Sequence, residues 1–295
     1  MLALEINHLT KSYGKIKAVN DLNLQIESGS IYGLLGPNGS GKTTTLGMIL
    51  DIIRQDKGSY QWFEGKYGDN HRKKIGAILE TPNFYPYLNA TENLEIVDRI
   101  KGGNRKNYDD LLELVNLLGR KQSKFRTYSL GMKQRLAIAA TLLGDPKVLI
   151  FDEPTNGLDP QGIAEVRNVI TEVASMGNTV ILASHILHEV EKICKHVAII
   201  KNGNLMATGL VGSILSDDIT VEVGSDDLDH LVTILSNYSL VGQISRKKNW
   251  LECSVPSETS VVDLSKHLMS NAILTNHFVS RKRNLEEEFL EITKE

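Results

Sequence analysis

One segment constrains the fold of this chain more than any other. Residues 36–43 read GPNGSGKT, which fits GxxxxGK[ST] without a mismatch. An apolar run at 31–35 precedes the segment and an amphipathic pattern follows it, so we expect a loop between a buried strand and a helix. Its glycines let successive backbone NH groups point inward, and the helix N-terminus adds positive potential. The segment therefore predicts a phosphate-binding loop; a glycine-rich loop with a chance lysine leaves the flanking pattern unexplained.

A second acidic element lies far downstream, where residues 148–153 read VLIFDE. An apolar strand that ends in two carboxylates presents them where a parallel α/β sheet opens its ligand crevice. We expect Lys42 to reach the β and γ phosphates, and Thr43 and Asp152 to hold Mg²⁺. Glu153 is then the candidate base that deprotonates the attacking water. The alternative is that both acids only cap the next helix.

The chain up to Gly209 alternates short β-rich runs with longer helical patterns, which predicts a layered α/β domain. Period-two alternation at 4–6 and 22–26 predicts half-exposed strands near a sheet edge. Four nearly continuous apolar runs predict buried parallel strands, at 31–35, 74–79, 148–151 and 179–183. Helices are predicted at 42–53, 90–100, 109–118, 132–143, 162–176 and 187–194. A closing hairpin is predicted around Asn202-Gly203, between strands 197–200 and 205–207.

The rhythm changes after Gly209. The predicted order is strand 219–223, helix 228–238, strand 240–244, strand 250–255, helix 261–269 and strand 273–279, with a last helix at 285–293. The βαββαβ order is that of a small α+β, ferredoxin-like domain. We therefore expect a domain at 1–210, a linker at 211–218 and an accessory domain at 219–295.

Composition removes several functional classes. The 295 residues carry 33 Lys and Arg against 36 Asp and Glu, so no overall basic field points to a nucleic-acid partner. The longest apolar stretch, 136–143, is too short to span a bilayer. The two cysteines, Cys194 and Cys253, form neither a disulfide framework nor a metal spacing. These features favour a cytoplasmic protein.

Further motifs narrow the class. Asp152-Glu153-Pro154 is followed by TNGLDP at 155–160 and by Ser184-His185, and residues 128–135 read YSLGMKQR at a predicted helix start. Over residues 2–210 the chain resembles the ATP-binding cassette (ABC) ATPases, whose motifs occur here in the family's order. The resemblance implies a P-loop ATPase domain with an antiparallel β subdomain and a helical subdomain, using ATP and Mg²⁺.

In that family, ATP is held between the phosphate loop of one subunit (Walker A, here residues 36–43) and the signature of another (here residues 128–135). The resemblance therefore implies a homodimer that sandwiches ATP. It also implies His185 as the switch residue, acting with Lys42 and Glu153. The implied nucleotide contacts are Tyr13, Gly36, Asn38, Gly39, Ser40, Gly41, Lys42, Thr43, Thr44, Ser129, Gly131 and Asp159. Taken singly, Tyr13 is also compatible with a surface tyrosine, Asp159 with a helix N-cap, and His185 with an ordinary strand-end histidine.

The chain departs from the family pattern at two places. Glu80 stands where the family usually has a glutamine and is a third candidate metal ligand, and Leu130 and Met132 replace usual signature residues. With the segment FYPYL at 84–88, these departures are similar to the bacitracin-resistance and lantibiotic-immunity branch of ABC exporters. The resemblance implies a subunit on the inner face of the membrane that drives a separate permease, exporting a peptide antibiotic, bacteriocin or other amphipathic compound. The alternative is a soluble ABC ATPase that acts on ribosomes or DNA.

Overall fold

The computed structural model describes residues 1–79, 81–214, 219–256, 261–282 and 285–292. The chain forms two compact units, the first covering Met1–Val211 and the second beginning at Gly212. Within the described residues, no helix is long and apolar enough to cross a membrane.

The first unit contains nine strands and six complete helices among its described residues. The strands are β1 (Leu2–Tyr13), β2 (Ile16–Glu27), β3 (Ile31–Leu35), β4 (Lys57–Trp62), β5 (Ile75–Ile78), β6 (Val148–Asp152), β7 (Thr179–Ser184), β8 (His196–Lys201) and β9 (Asn204–Leu210). The helices are α1 (Lys42–Ile49), α2 (Ala90–Ile100), α3 (Asp109–Leu114), α4 (Leu130–Thr141), α5 (Pro160–Ser175) and α6 (Leu187–Ile193).

A six-stranded sheet in the order β5-β6-β7-β3-β8-β9 organises this unit. All its strands pair in parallel except β9, which runs antiparallel to β8. Every residue of β3, β6 and β7 is buried, as the continuous apolar runs predict. Because parallel strands end at one edge of a sheet, the segments after β3, β6 and β7 lie together there.

The period-two strands belong to a second, antiparallel sheet in the order β2-β1-β4. Strand β2 lies at one edge of this sheet with β1 beside it, and buried and exposed residues alternate along β2, as the period-two pattern predicts. Strand β4 was not predicted, because Trp62 is its only fully buried residue and the pattern contains almost no apolar signal.

Two helices of the first unit end a full turn before their predicted ends. Helix α1 ends at Ile49 rather than residue 53, since Asp51 adopts a left-handed conformation (φ 60°) and the NH groups of Ile52 and Ile53 both donate to Gly47 O. Helix α3 ends at Leu114 rather than 118, because Asn116 turns the chain in the same way (φ 52°). In both cases apolar residues continue beyond the end of the helix, so the apolar pattern predicts a helix that is too long.

The expected linker at 211–218 begins as a short helix, α7 (Val211–Ile214), and the rest of it lies outside the described residues. The second unit contains β10 (Ile219–Ser225), α8 (Leu228–Ser236), β11 (Ile244–Arg246), β12 (Leu251–Val255), α9 (Val261–Ser270), β13 (Thr275–Lys282) and α10 (Leu285–Ile292). Residue 293, the predicted end of the last helix, also lies outside the described part.

The four strands of this unit form an antiparallel sheet in the order β11-β12-β10-β13, the arrangement of the split βαβ fold. Leucines of α8 and α9 pack against one face of it, among them Leu231, Leu235, Leu264 and Leu268. The predicted strand at 240–244 is wrong: Gly242 and Gln243 bond irregularly to Ser254, and regular pairing begins only at Ile244.

Candidate active site

The predicted phosphate loop lies between β3 and α1. Gly39 and Gly41 have positive φ angles of 78° and 109°, which side chains other than glycine rarely adopt. A Cβ at Gly41 would also lie 2.2 Å from Ala18 O, so the backbone approaches β2 closely there. Gly41 is the N-cap of α1 and supplies no capping side chain, which leaves the first NH groups of the helix to an anion.

The hairpin between β8 and β9 braces this loop. The NH of Gly203 donates to Ser40 O at 2.9 Å, and Asn20 N donates to Gly203 O at 2.8 Å. Asn202 and Gly203 both have positive φ (50° and 79°), as the predicted two-residue turn requires. Ser40 Oγ is buried and finds no hydrogen-bond partner among the described residues, which fits a loop shaped for a ligand.

Lys42 is the only cationic residue of the loop at 36–43, and it is 5% exposed. Its Nζ donates to Gly36 O at 2.7 Å and to Pro37 O at 3.3 Å. The same Nζ lies 3.3 Å from Oε1 of Glu153. Two loop carbonyls therefore hold the ammonium beside the carboxylate that the sequence nominates as the base.

Thr43 and Asp152 meet beside the loop, where Thr43 Oγ1 donates to Asp152 Oδ2 at 2.7 Å. A hydroxyl and a carboxylate that share one position are donors suited to Mg²⁺, so these residues fit the implied ion. They line a cavity of about 300 Å³ with Thr81, Pro82, Leu130, Gln134, Glu153 and Asn156. The third candidate, Glu80, lies outside the described residues.

Glu153 follows β6 and joins the two remaining catalytic candidates. Its Oε2 lies 2.7 Å from His185 Nδ1, in addition to the contact between its Oε1 and Lys42. Its backbone is left-handed (φ 50°), and its NH donates to Ala183 O in the neighbouring strand. A non-glycine residue in this conformation stores strain of about 1 to 3 kcal/mol, which is frequent at functional sites.

The structure also decides one alternative. Helix α5 begins at Pro160 and is capped by Asp159, so Asp152 and Glu153 do not cap it. Asp159 Oδ1 accepts from Gly162 N at 2.8 Å and thus acts as an N-cap in this chain, whatever else it contacts. Ser129 caps α4 in the same manner, accepting from Met132 N at 3.3 Å. Its hydroxyl proton stays available to an anion.

Tyr13 ends β1 with half of its surface exposed, and the Nζ of Lys11 lies 5.6 Å from its ring centroid. An exposed ring of this kind is able to stack on a base, and its role stays a prediction. Sequence reasoning missed Gln134 and Asn156, which line the cavity beside Asp152. Gln134 belongs to the motif at 128–135 and Asn156 to the motif at 155–160, so their membership of these motifs was the available signal.

A parallel sheet with a glycine-rich loop after one strand and paired carboxylates after another defines a P-loop nucleotide hydrolase. Residues 19–156 match the family model described as ABC transporter. The chain is 45% identical to the bacitracin transport ATP-binding protein BcrA of Bacillus licheniformis, over 69% of this chain and 68% of BcrA. It is 41% identical to the lantibiotic transport ATP-binding protein SrtF of Streptococcus pyogenes, over 69% of this chain and 89% of SrtF.

The likeness also extends over both units: the uncharacterized ABC transporter ATP-binding protein YhcH of Bacillus subtilis is 36% identical over 99% of this chain and 96% of its own length. Among solved structures, a dimeric ATP-binding cassette in a post-hydrolysis state, bound to ADP and Pi, superposes with a TM-score of 0.62. It is 25% identical and covers 70% of this chain and 98% of its own.

The chain belongs to the family of ABC transporter ATP-binding proteins. It is an ATPase whose hydrolysis is coupled to transport, and the likeness to BcrA and SrtF confirms the branch indicated by the sequence. The individual site residues stay predictions. Lys42, Thr43, Asp152, Glu153 and His185 lie together beside the loop. Ser129, Gly131 and Asp159 line a separate groove.

Proposed function

We propose that two copies of this chain close on ATP and drive a separate membrane permease that exports a peptide antibiotic, a bacteriocin or another amphipathic compound. The proposal is carried by the position of the signature: Ser129 and Gly131 line one groove with Asp159, and none of the described residues that line it belongs to the phosphate loop. One chain with one loop and one signature needs a second copy to complete a site.

The contact between Lys42 and Glu153 bears on how ATP binds. The Glu153 carboxylate forms an ion pair with the Lys42 ammonium, so a γ phosphate that binds Lys42 competes with this carboxylate. Glu153 then keeps its contact with His185, which orients the carboxylate toward an attacking water. Thr43 and Asp152 would hold Mg²⁺, which would supply positive charge against the developing charge on the phosphates.

The permease contact is placed at residues 82–88, called here the docking segment. Its Tyr85 and Tyr87 are 49% and 61% exposed. Asn93 fixes the backbone beneath them, accepting from Tyr85 N at 2.9 Å and donating to Tyr85 O at 3.2 Å. Two exposed aromatic rings on an ordered backbone are typical of protein interfaces. Such a contact would bring this subunit to the inner face of the membrane.

We expect Tyr87→Ser to weaken association with the permease while leaving basal ATP hydrolysis unchanged, because the side chain is exposed and belongs to none of the phosphate contacts. Co-purification with the membrane protein encoded by a neighbouring gene is the measurement. Met176→Ser is the matched control, since Met176 has a similar exposure of 59% but lies at the end of α5. Unchanged co-purification of the tyrosine variant would move the docking surface elsewhere.

The substrate class is tested in cells. Expression of this chain with its permease should raise tolerance to bacitracin or to a lantibiotic, and the hydrolysis-deficient Glu153→Gln variant should not. Tolerance that is independent of hydrolysis, or absent for every peptide tested while ATPase activity is normal, would reject peptide export and keep only the assignment as a transport ATPase.

A further inference from the structure

Arg135 closes the signature segment and has no part in the phosphate chemistry described above. It lies in the second turn of α4 and is 6% exposed. Its Nη1 donates to Val115 O at 2.6 Å and to Asn116 O at 2.9 Å, immediately after α3. Its Nη2 lies 3.1 Å from Glu165 Oε2 in α5. One guanidinium therefore joins three helices.

Glu165 ties this contact to the start of α5. Its other oxygen accepts from Gln161 Nε2 at 2.9 Å, within the first turn after the cap Asp159. The start of α4 lies close by, since a Cβ at Gly131 would lie 3.7 Å from Gly162 Cα. Neither Gly131 nor Gly162 has a side chain, so the two helix N-termini approach each other directly.

The two capped N-termini share a groove of about 510 Å³, which Arg135 and Glu165 line together with Ser129 and Asp159. A small rotation of α4 against α5 would change the position of Ser129 relative to Asp159. The Arg135–Glu165 contact opposes that rotation. The carbonyls of Val115 and Asn116 accept hydrogen bonds from the same guanidinium and hold it in place. Arg135 thus fixes the position of Ser129 relative to Asp159.

Stability alone gives little reason for an arginine at this position. A buried ion pair contributes little net stability, since desolvation offsets the attraction. Among the described residues, moreover, no group accepts a hydrogen bond from the buried Arg135 Nε. The planar fork of arginine nevertheless reaches acceptors on two sides at fixed angles, which a lysine does not reproduce.

We propose that Arg135 is a positioning residue of the ATPase reaction, which orients Ser129 and Gly131 toward the nucleotide bound by the second copy of the chain. This inference rests on the proposed dimer. It predicts that Arg135 acts in trans: a change at Arg135 harms the site of the partner copy and spares the nucleotide loop of its own chain.

The experiment uses Arg135→Met, which keeps an unbranched apolar stem and removes the fork. Its ATP affinity as a monomer should match the wild type, while its turnover should fall about 100-fold, the effect of a displacement of about 1 Å at a catalytic group. Mixing it with Lys42→Ala should restore activity that neither variant has alone. In the mixed dimer, the intact loop of one chain faces the intact signature of the other.

The control places both changes, Lys42→Ala and Arg135→Met, on one chain and mixes it with the single Lys42→Ala variant, which should restore nothing. Arg135→Lys replaces the methionine variant if the latter fails to bind ATP or to fold. Wild-type turnover of the homodimer, or no restoration by a variant that binds ATP normally, would overturn the proposal. If Glu153→Gln does not dimerise on ATP, the dimer itself fails; if it does and restoration is absent, only the role of Arg135 fails.

Discussion

Glu153→Gln should bind ATP and Mg²⁺, form a stable dimer and hydrolyse ATP about 10²- to 10⁴-fold more slowly than the wild type, the usual contribution of a general base. An amide does not accept the proton of the attacking water, yet it has nearly the shape of the carboxylate. The change also removes the negative charge that lies 3.3 Å from Lys42 Nζ. The ammonium is then released to the γ phosphate, which favours the ATP-bound state.

Size-exclusion chromatography at saturating ATP, together with steady-state turnover, provides the measurement. Glu172→Gln is the control, because Glu172 is an exposed carboxylate on α5. A Glu153→Gln protein that stays monomeric would contradict the sandwich dimer. One that keeps wild-type turnover would remove Glu153 from the role of base.

Lys42→Ala should weaken ATP binding about 10- to 100-fold, since hydrogen bonds to charged groups contribute about 1.5 to 3 kcal/mol each. In the wild-type chain, part of the interaction between Lys42 and the γ phosphate is offset, because the ammonium gives up its contact with Glu153. A Glu153→Gln background has no such competition, so we expect the loss there to be larger.

A double-mutant cycle of these two changes measures the coupling. Binding of a non-hydrolysable ATP analogue is followed by calorimetry, at concentrations below those of dimer formation. Lys195→Ala, an exposed lysine on the same unit, is the control. Equal losses in both backgrounds would show that the Lys42–Glu153 contact does not compete with the nucleotide.

Local patterns predicted the parts of the fold that local physics decides. The buried strands β3, β6 and β7 are continuous apolar runs, and α2 was predicted at its observed bounds. Strand β4 has almost no apolar signal and owes its existence to pairing with β1, a contact between segments far apart in sequence. Helix ends at Asp51 and Asn116 depend on single left-handed residues that a helical pattern does not mark.

The candidate site divides in the same manner. The loop at 36–43 and the acids at 152–153 were found because each motif lies within one short segment. The contact of Glu153 with Lys42 and His185 was not foreseen, because it requires β6, β7 and β3 to be neighbours in this order. Strand order is set by the packing of the whole sheet, so no local pattern reveals which side chains meet across it.

The hairpin that braces the phosphate loop has a consequence for synthesis of the protein. The loop at 36–41 leaves the ribosome early, but its partner, Gly203, is translated more than 150 residues later. A Cβ at Gly203 would lie 2.8 Å from Lys17 O, so the hairpin tip fits tightly against the strand beside the loop. Until that tip arrives, the nascent chain contains the motif without its brace. The phosphate loop therefore gains its full set of backbone contacts only late, when the first unit is almost fully translated.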